Sequence, residues 1–415
     1  MSFNPFEQKA TKIDKVFSDW KSLYPKAYNK NEVDPYTKCR IILMNGTEFE
    51  NVWFLHQYNR HVANNDERRE IALIRASEQE QQKRIACLKP LDETILETTI
   101  SYEQLAVDLT AGLAKREPDK YVKLALDFAL LEDFDHLYRY ANLLEAEQGV
   151  KAERLVGCYT EIMPARPTIA HHRYPLDNIK RSINGKTADL KTKLSTAIIT
   201  AAEQQTMNYY MNVCALYPSD VGRKLYQEIG MVEEEHVSHY GSLMDPTMGW
   251  AECNLMHQYT ECYLYWSAYN TEVDNQIKKV WQMHLDQELA HLQKAVDLLK
   301  KYANKDYTEV IPNPTFPEEL VLTSNKDYVR RILKQTVNLT STREDYDKVT
   351  DLSDNSDFFK YQKTVNKNVY EIPSHKVIEN EILQKGSDYR YEDSANPIKE
   401  LRDCTKDAVS VSLRV

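Results

Sequence analysis

Apolar residues recur at the three- and four-residue spacing of α-helices through the middle of the chain. In the segment 119–148, Leu126 and Leu130 fall on one helical face, and Pro118 and Gly149 mark the two ends. Segments of this kind follow one another with short breaks and predict eight helices. They span 65–88, 91–116, 119–148, 187–216, 219–243, 249–270, 273–303 and 325–336.

The segments outside these helices differ in pattern. Residues 1–60 contain Asp34-Pro35 and Asn45-Gly46, pairs that are typical of turns, and we expect irregular structure with short elements there. Residues 149–186 hold three prolines and predict a long connection, whereas 305–415 is polar and predicts a wrapping arm or partner-binding extension. We therefore expect an all-α protein in three parts: an N-terminal extension with one helix (1–90), a helical bundle (91–304) and a partly irregular C-terminal extension (305–415).

Composition supports this picture and excludes several classes of function. Glycine is scarce, at 10 of 415 residues, as expected of an all-α body. A net charge of −10 argues against nucleic-acid binding, which needs a basic surface. No apolar run is long enough to cross a membrane, and the first residues do not resemble a signal peptide. The seven cysteines contain no C-x-x-C pair, which predicts reduced thiols, a cytoplasmic protein and no rubredoxin-type iron module.

Three of the predicted helices carry an acidic residue and a histidine three positions apart. The pairs are Asp133-x-x-His136, Glu233-x-x-His236 and Glu288-x-x-His291. Each pair follows a single glutamate on the preceding helix, at separations of 30, 30 and 27 residues: Glu103, Glu203 and Glu261 respectively. Residues three apart share one helical face, so each pair can offer a carboxylate and an imidazole to one metal ion.

Chance and burial give opposite interpretations of these pairs. Acidic residues make up about 15% of the chain, so one or two such pairs among eleven histidines are expected by chance, on a solvated helix face. However, all three pairs are set among apolar residues, and a buried carboxylate costs several kcal/mol unless it is paired or binds a metal. Repetition in three hairpins therefore favours metal ligation, with buried salt bridges as the alternative.

Over residues 91–303, the candidate ligands follow the order Glu, acid-x-x-His, Glu and Glu-x-x-His. In this order the chain resembles the ferritin-like di-iron carboxylate superfamily. That superfamily includes the rubrerythrins, the small subunit of ribonucleotide reductase and the bacterial multicomponent monooxygenases. The resemblance implies a ferritin-like bundle with two iron ions, or with Mn/Fe or Mn/Mn, that reacts with oxygen or peroxide. It also implies an unknown small-molecule substrate and an electron-donor protein, and leaves a homodimer open.

Two hairpin pairings can build such a site. The long connection 149–186 can span a bundle, so the first hairpin can pair with either later one. The first choice joins the first and second hairpins, and the alternative joins the first and third. In the first choice, the candidate ligands are Glu103, Asp133, His136, Glu203, Glu233 and His236. In the alternative, Glu261, Glu288 and His291 replace the residues of the second hairpin. Glu132, next to Asp133, is an alternative ligand at that position.

The leading function is therefore a non-haem dinuclear metal oxidoreductase that activates oxygen or reduces peroxide. One alternative is an iron-handling protein like the ferritins. Another is a metal-free helical interaction protein in which the Glu and His residues form buried salt bridges. The pair His171-His172 in the long connection is predicted to lie in an exposed loop, with capping of the site or a separate metal as alternatives.

Overall fold

The computed structural model describes residues 3–162, 174–336, 339–365, 371–389 and 398–399. Thirteen α-helices lie within these described residues, so the predicted all-α helical fold is confirmed. They are α1 (Pro35–His61), α2 (Asn65–Ala86), α3 (Ile95–Arg116), α4 (Lys120–Gln148), α5 (Ala152–Leu155), α6 (Pro175–Asn178), α7 (Leu190–Leu216), α8 (Asp220–Leu243), α9 (Trp250–Thr271), α10 (Asn275–Leu298), α11 (Lys326–Thr336), α12 (Asp357–Val365) and α13 (Pro373–Lys385).

The other regular elements are short. Strands β1 (Leu339–Thr342) and β2 (Asp345–Lys348) form an antiparallel pair. One π-helical turn, Leu299–Ala303, extends α10. Single 3-10 turns lie at Pro5–Glu7, Ile13–Lys15, Tyr307–Glu309 and Val349–Asp351. In the described part of the chain, no helix is long and apolar enough to cross a membrane.

The eight predicted helices are confirmed, and local capping explains their ends. Helix α3 begins with a capping box in which Thr94 and Glu97 each bind the other's backbone N–H. Helix α4 begins after Asp119, whose carboxylate accepts hydrogen bonds from two backbone N–H groups, and ends at Gly149 in the left-handed conformation. These signals act over one helical turn, so the sequence is sufficient to predict them.

The expectation of irregular structure over residues 1–60 is wrong, because α1 occupies Pro35–His61. Asp34-Pro35 is the start of this helix, with Asp34 as N-cap and proline at the first helical position. Asn45-Gly46 lies inside the helix. A β-carbon on Gly46 would lie 2.6 Å from the β-carbon of Gln205, so a close helix contact explains this glycine.

Cα packing divides the chain into two compact units, both of which are discontinuous in sequence. The first unit comprises Met1–Glu93, Ser182–Gln205 and Met244–Leu322. Within it, α1 packs on α2, α9 packs on α10, and these hairpins meet through α1 with α9 and α2 with α10. Three-residue connections within each hairpin make its helices antiparallel neighbours. The N-terminal residues are therefore half of a four-helix arrangement, whereas the sequence predicted an extension.

The second unit comprises Thr94–Arg181, Thr206–Leu243 and Thr323–Val415. Helix α3 packs on α4, and α4 packs on α8. The predicted C-terminal extension supplies further helices to this unit, because α11 packs on α3 and α4, while α13 packs on α4 and α8. Helix α7 begins in the first unit and ends in the second.

Candidate metal centres

Six ionisable side chains of the second unit form a cluster on helices α3, α4 and α8. All six have 0 or 1% of their surface exposed. We call this set the Glu233 cluster, and it consists of Glu103, Glu132, Asp133, His136, Glu233 and His236. The sequence predicted every one of these residues, and the fold brings them together because residues three apart on α4 and on α8 point to the same side.

The two histidines of the Glu233 cluster face opposite oxygens of one carboxylate. His136 Nδ1 lies 2.9 Å from Glu233 Oε1. His236 Nδ1 lies 3.2 Å from Glu233 Oε2. The centroids of the two rings are 6.0 Å apart. Both imidazoles therefore present the same ring nitrogen, Nδ1, to the centre of the cluster.

Glu132 and Asp133 contact different nitrogens of His236. Glu132 Oε2 lies 2.6 Å from Nε2. Asp133 Oδ1 lies 3.6 Å from Nδ1, the nitrogen that faces Glu233. A carboxylate on the outer nitrogen orients a metal-binding imidazole and holds its proton there, which leaves Nδ1 available. The geometry thus favours Asp133 over Glu132 as the candidate ligand and gives Glu132 an orienting position.

Glu233 belongs to two overlapping groups of potential ligand atoms. Glu103, His136 and Glu233 form one group, while Asp133, Glu233 and His236 belong to the other. Within each group, one ligand atom from every residue lies within 4.8 Å of the others. A carboxylate shared in this way can bridge two metal ions, with one histidine on either side.

Hydroxyl groups hold the outer oxygens of this cluster. Thr110 Oγ1 donates a hydrogen bond to Asp133 Oδ2 at 3.1 Å. The Tyr210 hydroxyl donates to Glu103 Oε1. Burial raises the pKa of Tyr210 well above its ordinary value, and the nearby Glu103 carboxylate raises it further. Tyr210 therefore remains a neutral donor that fixes the Glu103 carboxylate.

Glu203 is the predicted ligand from α7. Its side chain is buried, with 1% exposed. It lies two residues before the position at which α7 passes from the first unit into the second. Its role as a metal ligand stays a prediction. The pair His171-His172 lies outside the described residues.

A second cluster lies within the first unit. It contains the three candidates of the third predicted hairpin, Glu261 on α9 with Glu288 and His291 on α10. The alternative pairing predicted that these three residues would join the Glu233 cluster, and this is not what the fold shows. It joins them instead to Glu48 on α1 and Glu78 on α2. We call these five residues the Glu78 cluster, and each is at most 1% exposed.

The Glu78 cluster also consists of two groups of potential ligands that share one carboxylate, that of Glu78. Ligand atoms of Glu78, Glu288 and His291 lie within 4.8 Å of one another, and so do those of Glu48, Glu78 and Glu261. His291 Nδ1 lies 3.0 Å from Glu78 Oε1 and 3.2 Å from Glu288 Oε1. One group thus contains an imidazole, and the other contains carboxylates alone.

The pKa values of the Glu78 cluster are shifted because four carboxyl groups are buried close together. Burial raises the pKa of Glu48 and of Glu261 well above the ordinary value, and neighbouring carboxylates raise both further. Burial and Glu78 raise the pKa of Glu288 to about 7. Burial alone would lower the pKa of His291, but Glu288 and Glu78 raise it to about 10. Without a bound cation, this core therefore keeps protons that exposed carboxylates would lose.

Glu48 and Glu78 were not predicted as ligands, because no histidine follows Glu78 at the acid-x-x-His spacing. Position 81 is glutamine, so α2 carries Glu78-x-x-Gln81 where the other hairpins carry an acid-x-x-His pair. The separation of Glu48 and Glu78 is nevertheless 30 residues, as for Glu103 and Asp133. The 30-residue spacing, together with Gln81 at the position of the histidine, is the sequence signal that indicates these two residues.

Comparison with known proteins assigns no family to the chain. No family model matches it, and no curated protein or solved structure matches it significantly.

Proposed function

We propose that the chain is a non-haem dinuclear metal oxidoreductase of the ferritin-like kind, with the Glu233 cluster as its active site. The observation that carries the proposal is the position of Glu233 in both ligand groups. Helix bundles hold two metal ions with a Glu from each of two helices and a Glu-x-x-His motif from each of two others, and the Glu233 cluster joins two acid-x-x-His pairs to Glu103. Iron is the first choice, and Mn/Fe or Mn/Mn pairs suit the same mixed oxygen and nitrogen donors.

The donor set fits such a pair of ions. Three candidate carboxylate ligands and two imidazoles lie in a space from which solvent is almost fully excluded. Glu103 and His136 would serve one ion, Asp133 and His236 the other, and Glu233 would bridge them. Glu203 is proposed as the additional ligand from α7. When bound, the metal pair supplies redox chemistry toward oxygen or peroxide, and the small-molecule substrate and electron donor stay predictions.

The chain's own residues prepare this centre for chemistry. Glu132 holds the outer nitrogen of His236, and Tyr210 donates to Glu103, so both candidate ligands keep their orientation without a rearrangement. Burial excludes bulk water and strengthens every electrostatic interaction inside. These contacts support a preorganised centre, which is what a redox reaction at fixed ligands requires.

Metal content tests the proposal directly. Protein purified without a metal-affinity tag is analysed for iron and manganese, beside a His136→Ala, His236→Ala double variant. We expect the variant to lose the pair of ions that the Glu233 cluster holds. His239→Ala is the matched control, because His239 is equally buried on α8 and lies 3.0 Å from the Tyr346 hydroxyl. Retention of all metal by the double variant would refute the site assignment.

The same measurement separates the alternatives. An iron-storage protein would accumulate many ions per chain, and a metal-free interaction protein would bind none even after anaerobic loading with iron. An oxidoreductase would bind a small fixed number and consume oxygen or peroxide when a reductant is present. A cytoplasmic location and a homodimer stay predictions with this proposal.

A further inference from the structure

We propose that the Glu78 cluster is a second metal site in the same chain, with a donor set richer in oxygen than that of the Glu233 cluster. It would hold two ions, one near Glu48, Glu78 and Glu261 and the other near Glu78, Glu288 and His291. The proposal stands on the first unit alone, and it does not depend on the function assigned to the second.

The charge balance of the Glu78 cluster differs from that of other buried acids in its unit. Glu93 is paired with Lys38 at 2.8 Å, and Glu272 is paired with Arg40 at 3.3 Å. Both acids therefore have the cation that a buried carboxylate normally requires. The Glu78 cluster contains one imidazole, which contacts two of its carboxylates, and the other described side chains that donate to the carboxylates are neutral: three amides and a phenol. Among the described residues, His291 contacts two of the carboxylates and Arg84 interacts electrostatically with Glu48, which leaves less positive charge than two metal ions would supply.

Neutral donors hold one oxygen of each carboxylate. Asn51 Nδ2 donates to Glu78 Oε1 at 3.0 Å and to Glu261 Oε2 at 2.6 Å. Gln81 Nε2 donates to Glu288 Oε1 at 2.6 Å. The Tyr265 hydroxyl donates to Glu48 Oε1.

Apart from a proton that Glu48 shares with Glu78 and a contact of Gln258 with Glu78, the remaining oxygens have no hydrogen-bond partner among the residues that the structure describes. They are Glu48 Oε2, Glu78 Oε2, Glu261 Oε1 and Glu288 Oε2. All four belong to side chains with 0 or 1% exposed surface. Buried polar atoms are almost always satisfied, so the weak satisfaction of four carboxylate oxygens in one cluster favours a bound cation. Each carboxylate is thus oriented on one side and open on the other, as a metal ligand would be.

A directed chain of hydrogen bonds fixes Glu48 from behind. Arg84 donates to His284 Nε2 at 2.7 Å, so that nitrogen accepts and the ring carries its proton on Nδ1. Nδ1 lies 2.9 Å from the Tyr265 hydroxyl, which in turn donates to Glu48. Burial lowers the pKa of His284 well below its ordinary value, consistent with a neutral ring. Outer contacts of this kind orient metal ligands.

The types of donor atom distinguish the two sites. Each ligand group of the Glu233 cluster contains one imidazole, whereas the group of Glu48, Glu78 and Glu261 contains oxygen donors alone. Gln81 occupies the helical position, three after the acid, that His136 and His236 occupy in the other unit. Oxygen-only positions favour harder ions such as Mn²⁺ or Mg²⁺ over ions that prefer imidazole. We therefore expect the two sites to differ in metal preference.

Elemental analysis after loading with Mn²⁺ or anaerobic Fe²⁺ tests the second site. Two paired sites predict about four ions per wild-type chain, and a Glu48→Gln, Glu261→Gln variant should keep about three, because it alters the ligands of only one ion. Glu272→Gln is the control, since it alters a buried acid of the same unit that already has a cation. Circular dichroism establishes that each variant is folded.

The outcomes separate this proposal from the proposed function. Unchanged metal content in the Glu48→Gln, Glu261→Gln variant would overturn the second site and leave the Glu233 cluster intact. Loss of metal from that variant, with no loss from the His136→Ala, His236→Ala variant, would support the second site and refute the first.

A gain-of-donor variant tests the same site without removing a ligand. Gln81→His restores the acid-x-x-His pattern on α2 and places an imidazole beside Glu78 and Glu288. With Co²⁺ as the probe, we expect binding to tighten about tenfold and the visible spectrum of the bound ion to change, because imidazole suits this metal. The experiment uses the His136→Ala, His236→Ala background, so that only the first unit reports. An unchanged spectrum and affinity would overturn the placement of an ion beside Gln81.

Discussion

Glu261→Gln should raise stability when metal is removed and lower it when metal is present. Glu261 is buried, and burial raises its pKa well above 4.5, with Glu78 and Glu288 raising it further. Its folded form binds more protons than the unfolded chain once the pH exceeds 4.5, so this carboxylate lowers the stability of the metal-free fold as the pH rises. Glutamine has the same shape and no titrating proton, and it can still accept the hydrogen bond from Asn51.

The expected change in Tm follows from the burial of Glu261 and from the size of the first unit. An unsatisfied buried carboxylate costs several kcal/mol, and we take about 2 kcal/mol as the gain after a weaker hydrogen bond is allowed for. In a unit of roughly 200 residues, 1 kcal/mol moves the Tm by about 2–4 °C. The metal-free variant should therefore melt roughly 4–8 °C above the wild type at pH 8, and this gain should vanish near pH 4.5.

Bound metal should reverse the order. Two ions, each at 100 times its Kd, stabilise the wild type by about 5 kcal/mol, and a variant that lacks a ligand of one ion loses up to about half of that, which exceeds the gain in the metal-free protein. Differential scanning calorimetry, with chelator and then with Mn²⁺, measures both differences. Glu272→Gln should lower the Tm in both conditions, because it leaves Arg40 without its buried partner. A lower Tm for Glu261→Gln in chelator would refute the reasoning, since the carboxylate would then be a stabilising structural group.

Three further predictions concern the bridging carboxylate, protons and packing. Glu233→Gln should remove both ions of the second unit, because Glu233 belongs to both ligand groups; elemental analysis that finds one ion retained there would contradict the bridge. Metal affinity of the first unit should rise between pH 6 and pH 8, because Glu288, with a pKa of about 7, must lose its proton to bind. Calorimetry in two buffers of different ionisation enthalpy should detect the released protons, and a pH-independent affinity would oppose this. Gly46→Ala should destabilise the protein by about 1–3 kcal/mol in urea unfolding, because its β-carbon would meet Gln205 at 2.6 Å; an unchanged midpoint would show that α1 does not pack as described.

Local sequence signals were sufficient for most helices. Helix α3 was predicted over 91–116 and is found at Ile95–Arg116, where a capping box sets its start. Such signals depend on atoms within one turn of each other, and no distant contact is needed to interpret them. The same locality places Glu233 and His236 on one face, since three residues advance a helix by almost one turn.

Ambiguous local signals explain the missed helix. An Asp-Pro pair such as Asp34-Pro35 begins either a turn or a helix, and the packing of the residues after it decides between them. Helix α1 mixes polar and apolar residues around its whole circumference, and Lys38, Arg40 and Glu48 are buried beside its apolar residues, so its sequence shows no apolar stripe. Its place between α2 and α9 decides its structure, because tertiary packing supplies most of the stability of such helices.

Taken by itself, the sequence determined eight of the thirteen described helices, the acid-x-x-His faces and the repeated spacing of 30 residues between candidate ligands. Only the tertiary structure decided which hairpins share a unit, and thus that Glu261, Glu288 and His291 join Glu48 and Glu78. The reason is physical. The separation of two residues on one helix is fixed by backbone geometry, whereas the partner of a whole helix is chosen by the sum of many weak side-chain contacts along its length.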